Sequence, residues 1–247
     1  MPNGTPRTEP EVTAAADKAG ETRRGVKRWL IKNCLAVLIV GAAAFLAAGR
    51  LDWFWGWAFV GLLDVNVVVL AVVLLPANPE LLAERSGLQK GTKRWDLVLA
   101  PLVAYGPLYT AIVAALDFRW GWSGPLPLWL HLAALVVVVA GWALTVWAMA
   151  ANKFFAATVR IQTDRGHTVA EGGPYRFVRH PGYVGAAAFV VALALMLGSL
   201  WALIPAAVAL AAVIERTALE DRTLRLELAG YEAYAKKTRY RLVPGVW

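Results

Sequence analysis

Four apolar runs, residues 29–49, 53–75, 95–116 and 126–149, decide what this chain can fold into. A hydrocarbon core of roughly 30 Å takes about 20 helical residues to cross, so each run is expected to be a transmembrane helix. Composition agrees. Hydrophobic residues make up 59% of the 247 and mean hydropathy is +0.53, against about 45–50% apolar residues in a soluble domain. The net charge of +8 could suggest nucleic acid, but the basic residues sit in the connections between apolar runs. That is the pattern of the positive-inside rule.

The borders of the runs carry Trp29, Trp53, Trp55, Trp57, Trp95, Trp120, Trp122 and Trp129, read as an interfacial aromatic belt. Connections around Arg50 and across 117–124 are nearly neutral, whereas the connection at 76–95 carries Arg85, Lys90, Lys93 and Arg94. This alternation puts the N-terminus, the 76–95 connection and the stretch 153–179 on the cytoplasmic side. Residues 1–28 mix both charge signs and read as a disordered cytoplasmic lead, residues 29–149 as a four-span region, and residues 150–247 as the unit that carries the chemistry. Cys34 has no second cysteine to pair with and reads as packing.

The last apolar run, 183–214, is too long for one span, since a single helix would extend roughly 48 Å at about 1.5 Å per residue. It would also carry the basic tail across the membrane. Gly198-Ser199 offers a turn, so the run is expected to form a helical hairpin that returns to the cytoplasm. The fold expected is an all-α polytopic bundle of about six spans with both termini inside and a helix continuing beyond Ile214. The segment NPELLAERSG reads as an interfacial helix at the rim of the site.

Chemistry concentrates at the entrance of the hairpin. The stretch GGPYRFVRHPGYVG (172–185) places Tyr175, His180 and Tyr183 beside arginines and prolines, and Arg216 and Glu220 share a face of the returning helix. Alone, an Arg–Glu pair at this spacing is most often a surface pair worth about 0.3–0.5 kcal/mol. The histidine and tyrosines could equally be interface residues. A site is favoured because both sets fall at one membrane edge. Asp64 and Asn66 lie within the second run, where an ionisable residue is costly, and Asp64 reads equally as functional or as a packed structural group. Phosphate loops, metal-ligand clusters and nucleophile elbows are not apparent in the sequence.

These residues carry a resemblance. The stretch GGPYRFVRHPGYVG, the preceding VRIQTDRGHTV and the tail RTALED…YEAY…RYRLVPG are similar, over roughly residues 150–244, to the isoprenylcysteine carboxyl methyltransferase family of membrane enzymes. The resemblance implies a multi-pass protein of the bacterial inner membrane that uses S-adenosyl-L-methionine and needs neither metal nor nucleic acid. It implies cofactor contacts from Gln162, His167, Thr168, Val169, Ala170, Tyr175, His180, Pro181, Gly182, Tyr183 and Glu220, with Arg216 holding the substrate. No residue is assigned as a general acid or base. The acidic pair is Glu220-Asp221 rather than two glutamates, and GYEAY is shorter than the family's spacing, which leaves the acceptor open.

The implied reaction is methyl transfer to a lipidic or amphipathic acceptor, and Arg216 favours a carboxylate. The same pattern also fits a phospholipid or amine N-methyltransferase. An Arg-His-Pro-x-Tyr-like motif occurs in NADPH-dependent sterol-type reductases as well, and a non-enzymatic scaffold leaves the charged returning helix unexplained.

Overall fold

The computed structural model describes residues 9–247 apart from residue 88, with side chains described from residue 17 onward. Within them the chain forms eight α-helices and no strand: α1 (Glu9–Ala48), α2 (Phe54–Ala77), α3 (Pro79–Glu84), α4 (Asp96–Trp120), α5 (Leu128–Ala151), α6 (Pro181–Met196), α7 (Leu203–Glu227) and α8 (Tyr231–Lys237). Four helices are long and apolar enough to cross a membrane, at 17–48, 54–77, 96–120 and 128–151. The bundle is that of a helical membrane protein. Its outward faces are apolar along α1, α2, α4 and α5 (Leu38, Val68, Val98 and Val136 are all exposed), which suits lipid rather than water.

The expected hairpin is present. α6 ends at Met196, the chain turns, and α7 begins at Leu203 and packs back along it. Gly198 makes the turn with φ +85°, and a Cβ there would lie 2.8 Å from His131 Cε1. Both conditions require glycine. His131 Nδ1 lies 2.8 Å from Met196 O and the ring stacks on Trp55, so the turn is pinned to α5 and α2. Asp117 at the end of α4 accepts hydrogen bonds from Ser199 Oγ (2.5 Å) and from the hydroxyl and backbone N–H of Ser123. A buried carboxylate thus closes the far end of the bundle. α6 has 16 residues, about 24 Å at helical rise and shorter than the other spans.

Small residues let the helices approach. A Cβ on Gly141 of α5 would stand 2.7 Å from Gly185 O of α6, so the two backbones touch. In a membrane, close packing of this kind takes over the role that the hydrophobic effect plays in water.

Two expectations need correction. Residues 9–28, read as a disordered lead, continue α1; residues 1–8 of that lead lie outside the described residues. The reason is packing. Gly25 lies against Ala83 of α3, Val26 and Trp29 join a cluster with Leu74, Leu81 and Leu82, and Lys18 pairs with Glu80 at 3.0 Å. Nor do all the border tryptophans form a belt. Trp57, Trp120, Trp122 and Trp129 are exposed, but Trp29 and Trp53 are buried, Trp53 stacking on Phe118 at 5.5 Å. Asp64 is on the exposed side of α2, away from the site described next.

Candidate active site

Where α6 starts and α7 leaves its apolar stretch, the 152–183 segment, the first turns of α4, the end of α7 and α8 enclose a cavity of about 270 Å³. Small-molecule sites typically begin at about 300 Å³. Gln162, His167, Thr168, Val169, Ala170, Tyr175, His180, Gly182, Tyr183, Arg216 and Glu220 all line it. Of the residues the sequence singled out, Pro181 does not. It is the buried first residue of α6, where a missing N–H costs nothing and the fixed φ suits the helix start.

The 152–183 segment is ordered by its own polar groups. Gln162 is buried; its Nε2 donates to Phe154 O at 2.7 Å and its Oε1 accepts from Arg165 Nη1 at 2.6 Å. Its backbone N–H points at His167 Nδ1, 3.3 Å away, which requires a neutral imidazole. Burial and the charges of Arg160 and Arg165 push the His167 pKa down to about 4, in keeping with that role. Arg160 bonds Glu84 of α3 at 2.7 Å and Asp164 at 2.8 Å. The loop is thereby tied to the rim helix. At Gly182 the edge of the Phe155 ring lies only 2.5 Å from where a Cβ would stand.

The arginine of the Arg-His-Pro motif has a structural task. Arg179 is buried and donates through Nε and Nη2 to Asp221, at 2.7 and 3.2 Å, and through Nη1 to the carbonyls of Thr238 and Arg239. The backbone N–H groups of Arg179 and His180 bond Tyr240 O and Arg241 O, drawing the C-terminal segment against the motif. Asp221, fully buried, also accepts from Arg225, Arg241 and Tyr231, with His180 Nε2 at 3.4 Å. Burial alone would raise this carboxyl. The bonds from His180, Arg179 and Arg241 hold it well below the usual carboxylate range.

Its neighbour points the other way. Successive helical residues are turned by about 100°, so Glu220 lines the cavity, where its carboxylate accepts a hydrogen bond from the Tyr183 hydroxyl. Arg216, one turn back, also lines it, with its guanidinium 5.4 Å over the Tyr183 ring. Yet Arg216 is internally paired. Nε donates to Asp96 Oδ1 at 2.6 Å, and Nη2 reaches Asp96 Oδ2 at 3.2 Å and Ala157 O at 2.8 Å. Asp96 further accepts the Val159 N–H at 2.6 Å, so one carboxylate joins α4, α7 and the loop. Nη1 of Arg216 makes no hydrogen bond among the described residues.

Sequence reasoning missed Asp96 as part of this end of the molecule, and it placed Asp221 and the segment holding Arg85 near the site without giving either residue a role. Asp96 and Arg85 had one visible signal: charge at the edge of an apolar run.

The fold and site together define a helical membrane protein with a cavity of mixed apolar and charged lining at one end of a helical hairpin. Residues 129–226 match the family model of the phospholipid methyltransferases (PEMT). The match runs from the start of α5 through the loop and hairpin almost to the end of α7, so this core is similar to that family of membrane methyltransferases. No curated protein gives a significant match to the chain.

Proposed function

We propose that the chain binds S-adenosyl-L-methionine in this cavity and transfers its methyl group to a lipidic or amphipathic acceptor, preferentially a carboxylate. The observation that carries the reading is the convergence of the 162–183 residues with Arg216 and Glu220 on one cavity, although 33 (Tyr183 to Arg216) to 58 (Gln162 to Glu220) positions separate them in sequence.

The lining suits such a cofactor. Glu220 is the only acidic residue in the wall among the described residues, and a carboxylate there attracts an ammonium or accepts from ribose hydroxyls. The rings of Tyr175, Tyr183 and Tyr231 offer negative faces to a cation. Val169, Ala170, Leu224 and Leu228 form an apolar slot for a flat base. When bound, S-adenosyl-L-methionine supplies a methyl group made electrophilic by its sulfonium.

The protein's own part is positioning. A carboxylate acceptor is already nucleophilic, so a new O–CH₃ bond forms as the S–CH₃ bond breaks, the electron pair stays on sulfur, and no proton moves. Alignment of the two reactants then supplies much of the acceleration. Arg216, fixed by Asp96, keeps Nη1 for the acceptor. The paired basic connections support a cytoplasmic mouth and cytoplasmic termini.

The family description favours a second reading, N-methylation of a phospholipid amine. There the amine must lose a proton before or after transfer. Calorimetry of the purified protein with S-adenosyl-L-methionine and with NADPH, followed by transfer of labelled methyl to carboxylate and amine amphiphiles, tests both readings. Binding of the methyl donor but not NADPH is expected, with label passing to the carboxylates. Binding of NADPH alone would rule out the methyltransferase reading, and label passing only to amines would replace O- by N-methylation.

A further inference from the structure

Four arginines line the cavity: Arg85, Arg160, Arg179 and Arg216. Three are neutralised by a carboxylate of the chain, Arg160 by Glu84 and Asp164, Arg179 by Asp221, and Arg216 by Asp96. Arg85 is different. It has no acidic partner among the described residues, and its hydrogen bond to protein runs from Nη1 to the backbone carbonyl of Phe155 at 3.2 Å. Its guanidinium lies 5.7 Å over the Phe155 ring.

The side chain is held from a firm base. Arg85 caps the end of α3, its backbone N–H bonds Leu81 O, and Leu81 and Leu82 are fully buried against α1 and α2. Burial, and then the positive charge of Arg216, push the Arg85 pKa down to about 10. A partly buried cation with unused donors beside another cation is unfavourable unless something negative joins it. Every buried side-chain nitrogen and oxygen among the described residues has a hydrogen-bond partner. The unused Arg85 donors are therefore accessible.

We propose that Arg85 supplies the uncompensated positive charge of this cavity, Arg216 being neutralised by Asp96 and contributing only its Nη1 donor, and that Arg85 takes a carboxylate or phosphate oxygen of the methyl acceptor. The inference rests on the methyltransferase reading above. The acceptor is favoured over the cofactor as the source by the neighbourhood. Arg85 lines the same cavity as Arg216, which is tied to Asp96, one helical turn before Ala100. Ala100, Val103 and Ala104 wall that side, and Ala104 is exposed on the apolar outer surface of α4. An acyl chain can lie there with its charged end at Arg85. Planar guanidinium also offers two parallel donors to either oxyanion, which an ammonium cannot.

The test uses full-length protein in nanodiscs and two pairs of probes: N-lauroylglycine against its neutral amide, and dodecyl phosphate against dodecanol. The wild type is expected to prefer the charged member of at least one pair by about tenfold or more, the scale of a hydrogen bond to a charged group. Which pair shows it distinguishes a carboxylate from a phosphate. Arg85→Gln should abolish that preference, and Arg85→Lys should keep part of it. Thermal midpoints of both variants near the wild-type value confirm that they fold. Affinity for S-adenosyl-L-methionine, read on the same samples, should be unchanged in both. Retention of the charged-probe preference in Arg85→Gln, or its absence in the wild type, overturns the proposal. Loss of cofactor affinity with the probe preference intact also overturns it, by moving the anion to the cofactor. A wild type that discriminates the probes but fails to bind the cofactor would instead refute the methyltransferase reading.

Discussion

Asp221→Asn should unfold this protein far more readily than any change at the adjacent Glu220. Asparagine keeps the shape and removes the charge, leaving three guanidinium groups without their common partner. Their exposures decide the magnitude. The side chains of Arg225 and Arg241 are 35% and 30% exposed, and Arg225 also reaches Glu232. Each of these pairs is worth about 1 kcal/mol or less. Arg179 is only 3% exposed, against 0% for Asp221, and stranding a buried charge costs about 3–5 kcal/mol. The terms overlap because all meet at one carboxylate, so a loss of about 3–5 kcal/mol dominated by Arg179 is expected. Stability of typical domains is about 5–15 kcal/mol, so the variant should be visibly weakened. Thermal and denaturant unfolding in detergent, followed by circular dichroism, measures it. Glu220→Gln is the comparator: its carboxylate is bonded only by Tyr183 among the described residues, so it should lose about 0.5–1.5 kcal/mol at most while cofactor affinity falls. Equal destabilisation by the two variants, or an Asp221→Asn protein within about 1 kcal/mol of wild type, would refute the division drawn between these neighbours.

Asp96→Asn should cost a similar amount, about 3–5 kcal/mol, by leaving Arg216 buried and unpaired; adding Arg216→Met should recover part of it, and a double variant no more stable than the single one contradicts the pairing. Acidification should loosen the 160–170 loop. The depressed His167 pKa means the unfolded loop takes up protons first, so its contribution is complete above about 6.5 and is lost as pH falls toward about 4. Amide exchange across this loop from pH 7 to 5, compared with His167→Gln, reads the effect, and an identical pH dependence in the variant removes His167 as its cause. On a Cys34→Ala background, a cysteine at Glu227 should be labelled by impermeant reagents from the cytoplasmic side only; labelling only from the opposite side would invert the topology.

The sequence alone determined the spans, the hairpin and the pieces of the site, because these rest on local properties. Run length against membrane thickness predicted α1, α2, α4 and α5, and excess length with Gly198-Ser199 predicted α6 and α7. The order of short motifs between 162 and 220 pointed to the residues that line the cavity. Partner choice was another matter. Arg216 and Glu220 looked alike as charges on one helix face, yet Arg216 is held by Asp96, 120 positions away, and Glu220 is not held by any arginine among the described residues. Glu220 and Asp221 are adjacent acids, and only the rotation of α7 against the loop decided which faces the cavity and which joins the arginines. Trp29 and Trp53 sit at run borders, where hydropathy predicts an interface, but α3 and Phe118 bury them. Arg85 was one basic residue among several in a connection until the fold set it beside the cavity with no carboxylate partner among the described residues. Coulomb and hydrogen-bond energies depend on distance in space and on burial, and a sequence fixes neither until distant segments meet.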